Sequence, residues 1–130
     1  MKILLVEDNE LVRETLTDVL ANLMGHEVTQ AADGREAAAL FLLDDYPVII
    51  SDIRMPNMTG LDFLEIINKS PKFPNTQLIF CTGMHDVEIA EEAIRNGASG
   101  FLLKPINIAD LKDLLQKLTS KNKSRDSNNS

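Results

Sequence analysis

A chain of 130 residues, 44% hydrophobic and 25% charged, has the length and composition of one soluble globular domain. Its formal net charge of −7 disfavours direct binding to nucleic acids, because basic patches supply most of the affinity for their phosphates. The single cysteine excludes an internal disulfide framework, and the longest apolar run, residues 37–43, is too short to span a membrane. We therefore expect a cytoplasmic domain that binds neither membranes nor nucleic acids directly.

Short runs rich in valine, isoleucine and leucine alternate along the chain with segments of helical spacing. The runs predict buried strands at residues 2–6, 28–31, 48–51, 77–81 and 100–103. After each run, apolar residues recur every three or four positions, which predicts five helices. The first apolar stripe extends from Leu11 to Leu23 and ends before Gly25. The second helix is expected to begin at Asp33, an N-cap residue followed three positions later by Glu36.

Five strands alternating with five helices predict an α/β fold of the (βα)5 type. Such a fold has a doubly wound parallel sheet with helices on both faces, and its ligands bind outside the carboxyl ends of the strands. We expect this domain to occupy residues 1–118. Residues 119–130 are polar and have no apolar anchor after Leu118, so they are predicted to form a disordered tail or a shortened linker.

Polar side chains follow four of the five predicted strands. Glu7 and Asp8 follow the first strand, Asp52 the third, Thr82 the fourth and Lys104 the fifth. Because the carboxyl ends of parallel strands meet at one edge of the sheet, we expect these side chains to share a pocket. Three carboxylates at close range repel one another unless they share a proton or bind a hard divalent cation such as Mg²⁺.

This set of residues favours phosphoryl transfer. Asp52, at the end of the central strand, is the predicted nucleophile that would form an aspartyl phosphate. Asp8, assisted by Glu7, would hold Mg²⁺ against the phosphoryl oxygens. Lys104 would pair with one phosphoryl oxygen, and Thr82 would donate a hydrogen bond to the same group.

The order and spacing of several short motifs resemble a known family. Over residues 2–118 the chain resembles the receiver domains of two-component response regulators, the CheY-like family. The motifs that carry the resemblance are Glu7-Asp8, Asp52 followed by Met55-Pro56, Gly60, Thr82-Gly83, Asn96-Gly97-Ala98 and Lys104-Pro105. The resemblance implies a flavodoxin-like sheet with strand order 2-1-3-4-5.

The resemblance also implies a function for the acidic pocket. A partner histidine kinase or phosphotransfer protein would phosphorylate Asp52 in a Mg²⁺-dependent reaction. The backbone carbonyl of Arg54 would complete the metal site that Glu7, Asp8 and Asp52 begin. The peptide bond before Pro105 is expected to be cis, and the structural positions Pro56 and Gly60 complete the pattern.

A further implication is a conformational switch made by Thr82 and Phe101. Movement of the Thr82 hydroxyl towards the phosphoryl group would let the aromatic ring turn inward. The face formed by the fourth helix, the fifth strand and the fifth helix would then change its affinity for a downstream protein, an output domain or a second copy of the chain. Phe101 lacks the hydroxyl of the tyrosine that many members carry, so it would rely on packing or serve only as a packing residue. Arg54 and Met84 would flank the phosphoryl group and tune its lifetime.

Two other functions fit part of the pattern. A constitutive protein-interaction module of the same shape would be favoured if Asp52, Thr82 or Lys104 were replaced. All three residues are present. An Asp-nucleophile phosphatase of the haloacid-dehalogenase type needs a second aspartate two residues after the nucleophile, where this chain has Arg54. We therefore expect a signalling domain that catalyses at most its own phosphorylation and dephosphorylation, and is otherwise not an enzyme.

Overall fold

Five parallel strands form a single sheet. The computed structural model describes residues 1–72 and 75–129, with side chains for residues 1–72 and 75–119. The strands are β1 (Lys2–Val6), β2 (Glu27–Ala31), β3 (Val48–Asp52), β4 (Gln77–Thr82) and β5 (Gly100–Leu103). Their order in the sheet is β2-β1-β3-β4-β5, and every adjacent pair is parallel. The predicted fold class and strand order are confirmed, and each strand lies within one residue of its predicted bounds.

Five α-helices connect the strands and follow the last one. They are α1 (Glu10–Asp18), α2 (Gly34–Leu43), α3 (Gly60–Lys69), α4 (Val87–Arg95) and α5 (Ile108–Asn129), with a 3₁₀ turn at Met84–Asp86. Side-chain oxygens cap the first three helices. Asn9 accepts from the N–H of Val12 at 3.0 Å, Asp33 from that of Glu36 at 2.8 Å, and Thr59 from that of Asp62 at 3.1 Å. The predicted N-cap at Asp33 is therefore confirmed.

The first helix departs from the predicted apolar stripe. After Asp18 the backbone continues as a π-helical segment, Val19–Leu23. A π-helical turn contains more residues than an α-helical one. Residues three or four positions apart therefore no longer lie on the same face of the helix. Leu20 is buried, whereas Leu23 is 70% exposed; at the other end of the stripe, Leu11 is 75% exposed.

The last helix is longer than expected. The backbone of α5 continues as helix to Asn129, whereas the sequence predicts a disordered tail from residue 119. Residues 119–129 contain neither glycine nor proline, so they carry no signal that would end a helix. Side chains from Ser120 onward lie outside the described part of the chain. The domain boundary at residue 118 stays a prediction.

Two apolar layers cover the two faces of the sheet. One layer packs α2, α3 and α4 against residues such as Leu4, Ile49 and Phe80. The other packs the π-helical segment and α5 against residues that include Ile3 and Ile50. Successive strand residues point to opposite faces, so each strand supplies both layers. No helix in the described residues is both long enough and apolar enough to cross a membrane. With both faces covered, the carboxyl edge of the sheet is left open for chemistry.

Replacing Gly60 with alanine is expected to lower the free energy of unfolding by about 2 kcal/mol, because the site has no room for a Cβ atom. A Cβ at Gly60 would lie 2.8 Å from the Phe80 ring and 2.9 Å from the carbonyl oxygen of Ile53. Urea unfolding of the purified domain measures the loss. Gly83→Ala is the control, since a Cβ there meets nothing within 4 Å. Equal stability of both variants would contradict the prediction.

Candidate functional site

Three carboxylates meet at the carboxyl edge of the sheet. Glu7 and Asp8 directly follow β1, and Asp52 is the last residue of the neighbouring strand β3. One carboxylate oxygen from each residue lies within 4.8 Å of the others. Glu7 is 5% and Asp52 9% exposed, whereas Asp8 is open to solvent. The structure therefore brings together the acidic residues that the sequence predicts to share a pocket.

Lys104 places one positive charge beside these carboxylates. Its Nζ donates to Oδ2 of Asp52 at 2.6 Å and lies 3.8 Å from Oε1 of Glu7. Its backbone N–H donates to the carbonyl of Thr82 at 2.8 Å, which ties the end of β5 to β4. The peptide bond to Pro105 is cis, as the resemblance implies. Burial alone would lower the pKa of Lys104, but the hydrogen bond to Asp52 and the charges of Asp52 and Glu7 raise it above its usual value.

Burial and charge in this pocket raise the pKa of Glu7. Burial, the hydrogen bond with Asp52 and the charges of Asp52 and Asp8 raise the pKa of Glu7 to about 7, although Lys104 acts in the opposite direction. A single lysine thus leaves the three carboxylates with an excess of negative charge. Converging carboxylate oxygens are the donors that Mg²⁺ prefers, so the residues present fit this cation.

The phosphoacceptor candidate has a second hydrogen bond, from the loop that follows it. The backbone N–H of Arg54 donates to Oδ1 of Asp52 at 3.2 Å. Both carboxylate oxygens of Asp52 therefore accept a hydrogen bond, one from this amide and one from Lys104. The participation of the Arg54 carbonyl in a metal site stays a prediction. Further along the same loop, Pro56 is exposed and precedes Asn57, whose φ of +68° turns the chain towards α3.

Thr82 and Phe101 lie on neighbouring strands and on the same face of the sheet. Phe101 is paired in register with Phe80, and Thr82 with Leu103. Thr82 is fully buried, and its hydroxyl donates to the carbonyl of Gly83 at 3.0 Å; within the described residues it makes no hydrogen bond to the carboxylates. Phe101 is half-buried and packs against the layer that contains α2, α3 and α4. The switch that the resemblance implies stays a prediction.

Two residues near the pocket were not predicted from the sequence. Arg13, on α1, donates from Nη1 to the carbonyl of Glu7 at 2.8 Å and from Nε to Gln30 at 3.1 Å. Asp86, at the end of the 3₁₀ turn before α4, forms a two-point ion pair with Arg54. Asp86 resembles an ordinary acidic residue at a helix start in the sequence, so its partner becomes evident only once the loops are in place. Met84, the other predicted flanking residue, is 79% exposed.

Comparison with known proteins agrees with this geometry. A family model described as "Response regulator receiver domain" matches residues 3–116. The chain is 30% identical over 118 residues to chemotaxis protein CheY-3 of Vibrio cholerae, covering 91% of each protein. It is 39% identical over 115 residues to response regulator protein FleR of Pseudomonas aeruginosa, covering 88% of this chain and 24% of FleR. The chain thus spans most of CheY-3 but about a quarter of FleR.

Solved structures lead to the same family. The chemotaxis response regulator CheY4 of Vibrio cholerae has a TM-score of 0.82 at 36% identity, covering 90% of this chain and 97% of the other. NtrX from Brucella abortus has a TM-score of 0.86 at 28% identity, covering 99% of this chain and 29% of that protein. With the family match over residues 3–116 and the acidic pocket at the expected edge of the sheet, the chain belongs to the response regulator receiver domains of two-component systems.

Proposed function

We propose that this receiver domain is a phosphorylation-controlled switch that accepts a phosphoryl group on Asp52. The observation that carries the proposal is the position of Asp52, which lies among the carboxylates with Lys104 on one oxygen and the Arg54 amide on the other. A histidine kinase or phosphotransfer protein would be the donor in the cell. The relatives are signalling proteins, which agrees with a domain whose chemistry is limited to its own phosphorylation and dephosphorylation.

Each residue of the pocket has its own role in the proposed phosphoryl transfer. An Asp52 oxygen attacks phosphorus, and Lys104 remains close enough to pair with a phosphoryl oxygen as negative charge develops. Glu7, Asp8, Asp52 and the Arg54 carbonyl would hold Mg²⁺, which supplies positive charge for the donor and for the phosphorylated product when bound. The Thr82 hydroxyl would exchange its bond to Gly83 for one to the phosphoryl group.

The output surface is the face formed by α4, β5 and α5. Leu103 and Ile108 on this face are each 47% exposed, so apolar area is available for a partner. A shallow groove here is lined by residues that include Phe101, Pro105 and Asp110. Rotation of the Phe101 ring would alter this groove, through packing alone because the ring has no hydroxyl. A downstream protein, an output domain or a second copy of the domain would respond to the change.

Intact-mass measurement with acetyl phosphate tests the proposal directly, since the chain has no tryptophan to report phosphorylation by fluorescence. We expect one added phosphoryl group that requires Mg²⁺, is absent from Asp52→Asn and is retained by Asp113→Asn. Asp113 is an exposed residue of α5, so its substitution removes the same charge away from the pocket. An adduct that persists in Asp52→Asn would overturn the assignment of the phosphoacceptor.

A constitutive protein-interaction module is the second candidate, because Leu103 and Ile108 already expose apolar area on the output surface without a phosphoryl group. Beryllofluoride with Mg²⁺ separates the two functions. A phosphorylatable domain should change its amide NMR spectrum around Asp52 and on the output surface. If neither acetyl phosphate nor beryllofluoride changes the domain, the constitutive module is favoured.

A further inference from the structure

The Arg54 side chain forms a two-point ion pair with Asp86, at the end of the turn before α4. Its Nε donates to Oδ2 of Asp86 at 2.6 Å and its Nη2 donates to Oδ1 at 2.7 Å. The pair joins the loop after β3 to the turn before α4, which are separated by 32 positions in the chain. Two parallel N–H···O bonds to a carboxylate are the geometry in which a guanidinium binds most specifically.

Asp86 is buried, although its partner Arg54 lies at the surface. Asp86 is 7% exposed, although the Arg54 side chain above it is 74% exposed. Asp86 also occupies the N-cap position of α4, yet its side chain makes no capping hydrogen bond to that helix. Both carboxylate oxygens are instead engaged by Arg54. The hydrogen bond from Arg54 lowers the pKa of Asp86, so its carboxylate is ionised at neutral pH.

The same guanidinium belongs to a residue that touches the phosphoacceptor. The Arg54 amide is bonded to Oδ1 of Asp52, which fixes the Arg54 backbone beside the carboxylate that would carry the phosphoryl group. The charge of Asp52 already contributes to the raised pKa of Arg54, after the larger contribution of Asp86. A phosphoryl group on Asp52 would bring more negative charge and more acceptor oxygens to this place. The Arg54 guanidinium can therefore bind either of two anionic partners, Asp86 or the phosphoryl group.

We propose that Asp86 is a positioning residue that holds the Arg54 guanidinium away from the phosphoryl site and thereby restrains phosphorylation of the domain. The inference rests on the proposed function of Asp52. In the transfer from acetyl phosphate, an Asp52 oxygen forms a bond to phosphorus while the bond from phosphorus to the acetyl oxygen breaks. Acetate leaves with that electron pair. A guanidinium released from Asp86 stabilises the negative charge on the transferring group, whereas a guanidinium bound to Asp86 does not.

The proposal predicts different effects for the two members of the pair. Asp86→Asn is expected to raise the rate constant for phosphorylation by acetyl phosphate about fivefold to tenfold, since charged hydrogen bonds of this kind are worth a factor of about ten or more. Arg54→Gln is expected to change it less than about twofold, because a guanidinium bound to Asp86 does not act on the transferring group. Adding Asp86→Asn to Arg54→Gln should likewise change the rate constant less than about twofold. Glu88→Gln is the matched control, because Glu88 is an exposed acid in the first turn of the same helix.

A second measurement reports the ion pair without any phosphorylation. The Arg54 Nε–H should give a protected ¹⁵N NMR signal in the wild-type protein, and that protection should be lost in Asp86→Asn. Beryllofluoride with Mg²⁺ should shift the same signal in the wild type as the guanidinium changes partner.

Each remaining outcome would overturn the proposal. If Asp86→Asn and Arg54→Gln slow phosphorylation alike, the pair is structural. If Glu88→Gln accelerates it as much as Asp86→Asn, the effect is the loss of charge alone. If the Arg54 signal is unprotected in the wild type, Asp86 does not hold the guanidinium.

Failure of the proposed function can be distinguished from failure of this inference. A wild-type protein that accepts no phosphoryl group would contradict both. Normal phosphorylation of the wild type with an unchanged rate in Asp86→Asn would contradict only the inference.

Discussion

Replacing Lys104 with methionine is expected to slow phosphorylation of Asp52 by roughly 100-fold to 1,000-fold, the loss that follows removal of one donor aimed at developing negative charge. Lys104 contributes a charge-assisted hydrogen bond of 2.6 Å to Asp52, and methionine keeps much of its length without the charge. Time courses of intact mass with acetyl phosphate at saturating Mg²⁺ measure the rate. Lys112→Met, an exposed position on α5, controls for the loss of a lysine elsewhere.

The same variant should bind Mg²⁺ more tightly. The lysine ammonium lies 2.6 Å from Asp52 and 3.8 Å from Glu7, so it competes with a cation for the same carboxylates. Tighter metal binding together with slower phosphorylation would separate the role of Lys104 in transfer from a general disruption of the pocket. A variant that loses Mg²⁺ affinity as well would indicate that the lysine only maintains the pocket's shape.

Without Mg²⁺, the stability of the domain is expected to fall as the pH rises from about 4.5 to about 7. The pKa of Glu7 is about 7 in the folded protein and 4.5 when unperturbed, so the folded state binds the proton more tightly. The stability that this group contributes is fully present below the unfolded pKa and is lost as the pH rises through about 7. A tenfold difference in proton affinity is worth about 1.4 kcal/mol, which gives a loss of roughly 2–3 kcal/mol.

Urea unfolding with a chelator present, repeated across this pH range, measures the effect. Glu7→Gln should remove most of the dependence, because a neutral amide of similar shape has no proton to lose. Glu10→Gln, an exposed acid in the first turn of α1, should leave it intact. Burial lowers the pKa of His26, so His26 also contributes to the pH dependence of stability. Its contribution is the same in the wild type and in each variant, and it cancels when they are compared. Identical pH dependence in wild type and Glu7→Gln would refute the assignment to Glu7.

Most of the fold follows from patterns that are local in the sequence. Each strand is a short β-branched or leucine-rich run, and all five lie within one residue of their predicted bounds because both faces of a covered parallel sheet must be apolar. The acidic pocket was predictable for a related reason. Glu7 and Lys104 directly follow strands and Asp52 ends one, and the fold must align these strands, so their meeting point depends on topology and not on details of packing.

The unpredicted features depend on contacts that local sequence patterns do not specify. The π-helical segment interrupts a regular apolar pattern, and nothing in the spacing from Leu11 to Leu23 marks where the hydrogen bonding changes. The partner of Arg54 is Asp86, on a different loop, and helix-start acids commonly remain in solvent. The orientation of the Thr82 hydroxyl is likewise decided by its immediate neighbours, because a rotation about one bond moves it between acceptors.

The Arg13 guanidinium has a consequence for how quickly the pocket can respond. Its hydrogen bonds to the Glu7 carbonyl and to the Gln30 side chain hold the loop after β1 against α1 and β2, independently of any bound ion. Little loop entropy then remains to be lost when the carboxylates of Glu7 and Asp8 close around a cation. Mg²⁺ gives up its hydration shell reluctantly, so dehydration of the ion is expected to limit the speed of loading. The receiver would then be ready for each phosphodonor as soon as the ion has exchanged part of its hydration shell for the carboxylates.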